Sequence, residues 1–333
     1  MGKRAEMVTE SEIVRPVIVL GAPRSGTTIV RNCFALHPDV WHLAGESHAI
    51  LEGPFHPSER GYVSNRVEAA DVDDDLAGAL RAAFTRQSIN FDASRIPVGS
   101  GTTGSSLTGR LADKVASRVA GAASKRRRPA EIRFLEKTPK NTLRVPMLER
   151  LFPDALYVHI TREPTGNVDS LIEGWRATDR IGPITRQRFA RSGYPIAGDL
   201  ALRDYDADVW KFALVPGWRD LRGAAIADVA ARQYFACNRY ALDDLAGIEP
   251  ARVRRIRHED WIAEPSATIR DLLAWADLPP CEVVERYAAR SPRVNSTRSA
   301  STPVDALRNP EEVRAAVAAT DGMGPLLAEL GYA

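Results

Sequence analysis

Hydrophobic and polar positions follow two rhythms along this chain. Val14 to Leu20 is a short, β-branched apolar run that stops at Gly21, the pattern of a strand buried on both faces. From Gly26 the spacing turns helical and holds through Ala35, ending near His37-Pro38. Asp71 to Arg86 predicts an amphipathic helix whose acidic start suits the positive end of its dipole. Leu111 to Ala123 predicts a further helix. Ile132 to Leu135 and Ala155 to Thr161 predict strands, with a helix from about Asn141 to Phe152 between them. Pro164 stands where a first-turn proline opens the next helix. Ala224 to Leu245 predicts a long helix, Val253 to Arg257 a strand, and Ser266 to Ala276 and Pro310 to Leu330 mostly helix. The rest is read as a frayed leader (1–13), a Gly/Ser/Thr-rich loop (97–109), a basic linker (125–129) and an irregular aromatic stretch (175–223). No segment repeats. Strands alternating with helices predict a three-layer α/β sandwich with a central parallel sheet, in one domain over 14–333.

Composition narrows the partners. The 333 residues are 44% hydrophobic and 26% charged, as in ordinary globular chains, which excludes wholesale disorder and fibrous rods. At ~150 residues per domain the length allows two domains or one large α/β unit. No apolar run approaches the ~18 residues of a membrane span. The first fifteen residues carry both charges and do not resemble a secretory signal. After Met1-Gly2 a myristoylation motif fails at Glu6. A net charge of +2 argues against a nucleic-acid coat or a membrane-surface protein. Only six of the 45 basic residues are lysine, so each lysine's position carries more information than usual. Cys33, Cys237 and Cys281 are too few and too scattered for a disulfide framework or a zinc site, and predict a reducing, cytoplasmic setting.

The strongest chemical signal is Gly21-Ala22-Pro23-Arg24-Ser25-Gly26-Thr27-Thr28, between a predicted strand and a predicted helix. A glycine-containing turn lets backbone N–H groups converge on an anion, and the helix N-terminus adds partial positive charge. Arg24 adds a forked cationic donor, and Thr27 and Thr28 add hydroxyls. The spacing is that of a Walker A loop, with Thr27 where the phosphate-gripping lysine belongs. The strand Leu156 to Ile160 runs into Thr161-Arg162 and not into a magnesium-holding aspartate. The loop therefore reads as a cradle for a phosphate-like group without a triphosphate and without a metal.

At Pro23-Arg24-Ser25-Gly26-Thr27-Thr28 the chain resembles the sulfotransferases that use 3′-phosphoadenosine 5′-phosphosulfate (PAPS), in the arginine form typical of their bacterial and Golgi-type branches. In that family this loop cradles the 5′-phosphosulfate. Arg162-Glu163-Pro164 with Ser170 eight residues after the arginine resembles the family's 3′-phosphate site. The resemblance implies donor binding by residues 23–28, Arg162 and Ser170, a P-loop-related fold, and no metal. Leu135-Glu136-Lys137-Thr138-Pro139 resembles the family's E-K-[ST]-P block. Arg257-His258-Glu259-Asp260-Trp261 resembles its late Y-E-D-L block, with His258 for Tyr. Asn295 to Arg298 offers a further 3′-phosphate contact, without the family's glycine-containing basic motif.

Sulfuryl transfer to a hydroxyl needs a base, cations for the developing charge, and in-line positioning, each worth ~2–4 kcal/mol of barrier. In Leu43-Ala44-Gly45-Glu46-Ser47, which resembles the G-E block where the bacterial and Golgi-type enzymes place a catalytic glutamate, Glu46 is the favoured base, with a pKa expected to be raised by partial burial. His42 and His48 are its rivals, and His159 reads as a core histidine. Arg24 and Lys137 are the electrophilic candidates, with Lys140 behind them. The expected partner is a small hydroxylic acceptor (alcohol, sugar or phenol). Its pocket is expected from 51–110 and 175–222, where Phe55, Tyr62, Trp175, Tyr205, Trp210, Phe212 and Trp218 line a cleft or fill the core. A kinase-like phosphotransferase and a non-catalytic nucleotide-binding module remain as alternatives, and the oligomeric state is open.

Overall fold

The computed structural model describes residues 11–90, 128–177, 193–290 and 307–332. The expected helix at 111–123, the loop at 97–109 and the 295–298 contact lie outside these residues. A seven-stranded sheet organises the chain. Along its path it runs β4 (Ile89–Asn90), β3 (Val40–His42), β5 (Glu131–Glu136), β2 (Val17–Leu20), β6 (Leu156–Thr161) and β9 (Val253–Arg257), with β1 (Glu12–Ile13) also on β5. All pairings are parallel except β3 with β4. The sheet is thus mostly parallel, with an antiparallel edge strand that periodicity does not reveal.

The pleat explains why β2 is apolar throughout. Val17 and Val19 face one layer, against Phe34 of α1 (Thr27–Ala35) and Leu272 of α8 (Pro265–Trp275). Ile18 and Leu20 face the other, against Met147 and Leu151 of α4 (Val145–Leu151) and Phe84 of α3 (Asp74–Gln87). No side chain of the four is more than 3% exposed. Burying each contributes about 1.5–3 kcal/mol, which is what holds the strand at the sheet's centre.

The run expected over 14–20 is broken at Arg15, whose φ of 43° interrupts the extended backbone. Glu12–Ile13, the end of the expected leader, pairs with Glu131–Ile132. The helix expected from Asn141 divides into a 3-10 turn, Pro139–Leu143, and α4. The last helical stretch divides at Gly322 into α10 (Pro310–Ala319) and α11 (Met323–Leu330). Two further helices frame the site, α5 (Pro164–Arg176) and α6 (Ile226–Leu245). Between them β7 (Tyr194–Pro195) and β8 (Val209–Trp210) form a small antiparallel pair.

The aromatic residues of the irregular stretch are mainly core. Trp175 and Trp210 are fully buried, and Trp175 meets Tyr205, Trp210 and Phe212 edge to face. Phe55 and Trp218 are also buried. Tyr62 and Trp218 do border a surface cavity of about 640 Å³ with Asp199, Arg219 and Arg222. No helix of the described residues is long and apolar enough to cross a membrane.

Candidate active site

Parallel strands bring their carboxyl ends to one edge, where open α/β sheets receive ligands. The loop after β2, the turn after β5 and the turn after β6 all emerge there. The first is the glycine-containing loop 21–28, expected from the sequence to cradle a phosphate-like group. Arg24 takes φ 73° and Gly26 φ 105°, so two left-handed residues curl the backbone before α1. Gly26 calls for glycine first by its φ of 105°, and a Cβ there would also come within 2.6 Å of the His258 ring. At Gly21 a Cβ would stand 2.6 Å from the Ile160 carbonyl oxygen, so the loop can leave β2 this close to the end of β6 only through glycine.

Helix α1 starts on Gly26 with no side-chain cap. Its first N–H groups have no acceptor within the helix, the arrangement that receives an anion. Ser25 Oγ is buried with no hydrogen-bond partner among the described residues. An orphaned hydroxyl beside an uncapped helix N-terminus fits a phosphate or sulfate oxygen as partner.

Pro23 to Thr28 are joined to the β6 turn by hydrogen bonds. Arg24 Nε donates to Ser170 Oγ at 3.0 Å, and Arg162 donates to the Arg24 carbonyl at 3.1 Å. Asn167 Nδ2, which the sequence did not single out, donates to the Pro23 carbonyl at 3.0 Å. Arg24, Arg162 and Ser170 therefore form one cluster across loop, strand end and α5. Glu163 caps α5 by accepting the Thr165 and Gly166 N–H groups. Its own N–H donates to Glu259, which also accepts from Tyr332.

His258 lies against the loop on the other side. Burial, then the Arg162 charge, pushes its imidazole down to about 4, so it meets the loop neutral at physiological pH. His159 is fully buried in β6 and likewise pushed down to about 4, first by burial. It is a core histidine.

The β5 turn supplies the second cluster. Lys137 Nζ donates to Glu46 Oε1 at 2.5 Å, although 91 residues separate them. The lysine side chain is 8% exposed and the glutamate 34%, so the cation supports a carboxylate that reaches solvent. Lys137 is thus ion-paired with Glu46. Beneath the pair, Ser47 Oγ donates to Glu136 Oε1 at 2.6 Å, and the Ser47 N–H donates to Thr138 at 2.9 Å. This stitching fixes the segment after β3 to the segment after β5. Burial pushes the fully enclosed Glu136 carboxyl upward.

The expected rise in the Glu46 pKa is not found. Burial does push this carboxyl up, but Lys137 and then His48 outweigh it and hold it at about 2. His48 Nε2 stands 2.9 Å from Glu46 Oε2, and its Nδ1 3.3 Å from Glu52 Oε1. His42 is buried, its Nδ1 against the Leu43 carbonyl and Arg31, and burial leads in lowering it to about 4. Lys140 turns inward to Glu52 at 2.8 Å and Tyr194 at 2.6 Å, away from the pair at the surface.

Fold and site together define an α/β protein with a glycine-led loop and an uncapped helix N-terminus at the carboxyl edge of its sheet. A family profile for sulfotransferases matches residues 16–190, more than half of the chain, and the chain belongs to the sulfotransferase family. It is accordingly a transferase. No curated protein matches the sequence. Among solved structures it is similar to the sulfotransferase domain from the curacin biosynthetic pathway, at 15% identity and TM-score 0.45, over 97% of this chain and 99% of that one. It is also similar to a sulfotransferase of Mycobacterium avium, at 16% identity and TM-score 0.46, over 96% and 76%. A sulfotransferase of Alicyclobacillus acidocaldarius gives 15% identity and TM-score 0.42, over 95% and 94%.

Proposed function

We propose that this sulfotransferase moves a sulfuryl group from PAPS to a hydroxyl of a small molecule, sugar or phenol. The observation that carries the reading is the hydrogen-bonded cluster of Arg24, Ser170 and Arg162 around an uncapped, glycine-led helix N-terminus. The buried, partnerless Ser25 hydroxyl adds to it. Residues 23–28 would hold the phosphosulfate, and Arg162 with Ser170 the 3′-phosphate. When bound, the donor supplies an activated sulfur on a phosphate leaving group.

The protein's part is electrostatic and positional. The loop N–H groups and Arg24 neutralise oxyanion charge in a partly desolvated site, where such donors act most strongly. Glu46 receives the hydroxyl proton of the acceptor. Lys137 holds the Glu46 carboxylate in place and offers positive charge beside the bond being broken. Thr27 in place of the Walker lysine favours a singly linked sulfuryl donor over a magnesium-bound triphosphate. Two of the three free cysteines are buried, which is compatible with a reducing, cytoplasmic setting.

Titration calorimetry with 3′-phosphoadenosine 5′-phosphate, the desulfonated by-product, tests the reading. Saturable binding without magnesium is expected. No detectable binding, with turnover of Mg-ATP instead, would replace the reading with a kinase-like one.

A further inference from the structure

Glu46 poses a chemical difficulty. A carboxyl held at about 2 is a weak resting place for a hydroxyl proton. The residues behind it resolve this. His48 is clamped between two carboxylates, Glu46 on Nε2 and Glu52 on Nδ1. Side-chain exposure falls inward from 34% at Glu46 to 22% at His48 and 8% at Glu52. Glu52 Oε1 is fixed from four directions, by His48, Lys140 at 2.8 Å, Tyr194 at 3.0 Å and Arg144 at 3.4 Å. In the neutral ring that keeps its Nδ1 proton toward this anion, the Nε2 lone pair is directed at Glu46.

We propose that Glu46, His48 and Glu52 form a proton relay, in which the acceptor's hydroxyl proton passes through Glu46 and comes to rest on His48. This rests on the reading of Glu46 as the base. The step balances. The hydroxyl oxygen forms its bond to sulfur as the sulfur–phosphate oxygen bond breaks, and the leaving phosphate keeps that electron pair. The hydroxyl proton goes to Glu46, and a Glu46 proton goes to His48 Nε2. Glu52 stabilises the imidazolium, and the proton later leaves to solvent. Glu46 is the catalytic residue; His48 and Glu52 are positioning residues that act through it.

The charges around the imidazole come from every neighbouring element. Glu46 and Glu52 flank it on its own segment. Lys140 faces it from the 3-10 turn, Arg144 reaches Glu52 from the start of α4, and Lys137 and Glu136 lie behind Glu46 at the end of β5. Burial lowers the imidazole, but the bonds to Glu46 and Glu52 prevail and the net displacement is upward. His48 accepts the proton only as the neutral ring, so activity should rise with pH as His48 deprotonates.

The test uses the full chain with carbon-13-labelled histidine, and His48→Gln to assign the ring. His48 should titrate above its ordinary 6.5, and fall by about one pH unit in both Glu46→Gln and Glu52→Gln. The second readout is by-product release from PAPS with water as acceptor. Its acid limb should move down with the ring in Glu52→Gln. In His48→Gln, kcat should drop about 100-fold while affinity for 3′-phosphoadenosine 5′-phosphate stays unchanged. A ring that titrates alike in wild type and both variants overturns the relay, as does an acid limb unmoved by Glu52→Gln. Glu46→Gln keeps the measurement valid if Glu52→Gln fails to fold, since Glu46 is the more exposed. Loss of by-product binding in the wild type would instead overturn the PAPS reading, and the ring titration would be unaffected by it.

Discussion

At the scale of the residue, the division of labour lies between two clusters of opposite purpose. Arg24, Arg162 and Ser170 are tied to one another and to the loop, and are the residues proposed to grip the donor. Glu46 and Lys137 face each other at 2.5 Å and are the pair proposed to react. Substitutions should separate the two. Glu46→Gln keeps the shape and removes the proton acceptor, so turnover of PAPS should fall by about 10²–10⁴-fold. Calorimetric affinity for 3′-phosphoadenosine 5′-phosphate should be unchanged, because the carboxylate is engaged with Lys137 and His48, outside the residues proposed to hold the nucleotide. Arg162→Ala should do the reverse at the level of binding. It removes the guanidinium proposed for the 3′-phosphate, so affinity for the bisphosphorylated nucleotide should drop far more than affinity for adenosine 5′-phosphosulfate. A charged hydrogen bond of this kind contributes about 1.5–3 kcal/mol, roughly a ten- to hundred-fold loss. Equal losses for the two nucleotides, measured side by side, would remove Arg162 from the 3′ site.

At the scale of the element, the phosphate loop depends on how closely β2, β6 and the late helical segment approach it. Gly26→Ala places a Cβ at φ 105° and 2.6 Å from the His258 ring. Backbone strain there should cost about 1–3 kcal/mol, visible as a lowered unfolding midpoint. Adding His258→Ala should return only the steric part, because the left-handed backbone is strained whatever the space. Full recovery in the double variant would mean that packing, not backbone conformation, sets the glycine requirement. This loop was legible in the sequence because its determinants are local: a buried strand, a glycine turn and a helix start within about a dozen residues. The strand and helix periods were legible for the same reason. What resisted reading came from contacts between distant segments. The break at Arg15 follows a local dihedral, but its backbone N–H is held by Asp154, 139 residues away. The aromatic stretch left open between cleft and core became mostly core, since Trp175 meets its partners only after α5 and β8 pack together. Glu46 and Lys137 were each nominated by residue type and position. Their pairing, and hence the downward displacement of Glu46, depended on β3 and β5 lying side by side.

At the scale of the whole molecule, the same buried charges that serve the site must tie its stability to pH. Glu46 and Glu52 both have carboxyls displaced downward from an ordinary 4.5, in each case against the opposing push of burial. A group with a depressed folded value stabilises fully above its unfolded value and ceases to do so as pH falls through the folded one. These two contributions should therefore be complete above about pH 4.5 and fade as pH falls, that of Glu46 toward about pH 2 and that of Glu52 at still lower pH. His48 is displaced upward, so its contribution has the opposite sense. It is complete below its ordinary 6.5 and is lost as pH rises through the folded value. The three groups are one network, and together they place its greatest stabilisation between roughly pH 4.5 and 6.5. Glu52→Gln removes the common partner of His48, Lys140 and Arg144. The variant should be less stable at pH 6, since two buried cations lose their counter-charge. Its unfolding midpoint should also vary less with pH on both sides of that range. Thermal unfolding from pH 3 to pH 9 decides the matter. If the variant's curve ran parallel to that of the wild type throughout, Glu52 would not be coupled to titration, and the low exposure of its carboxylate would reflect packing alone.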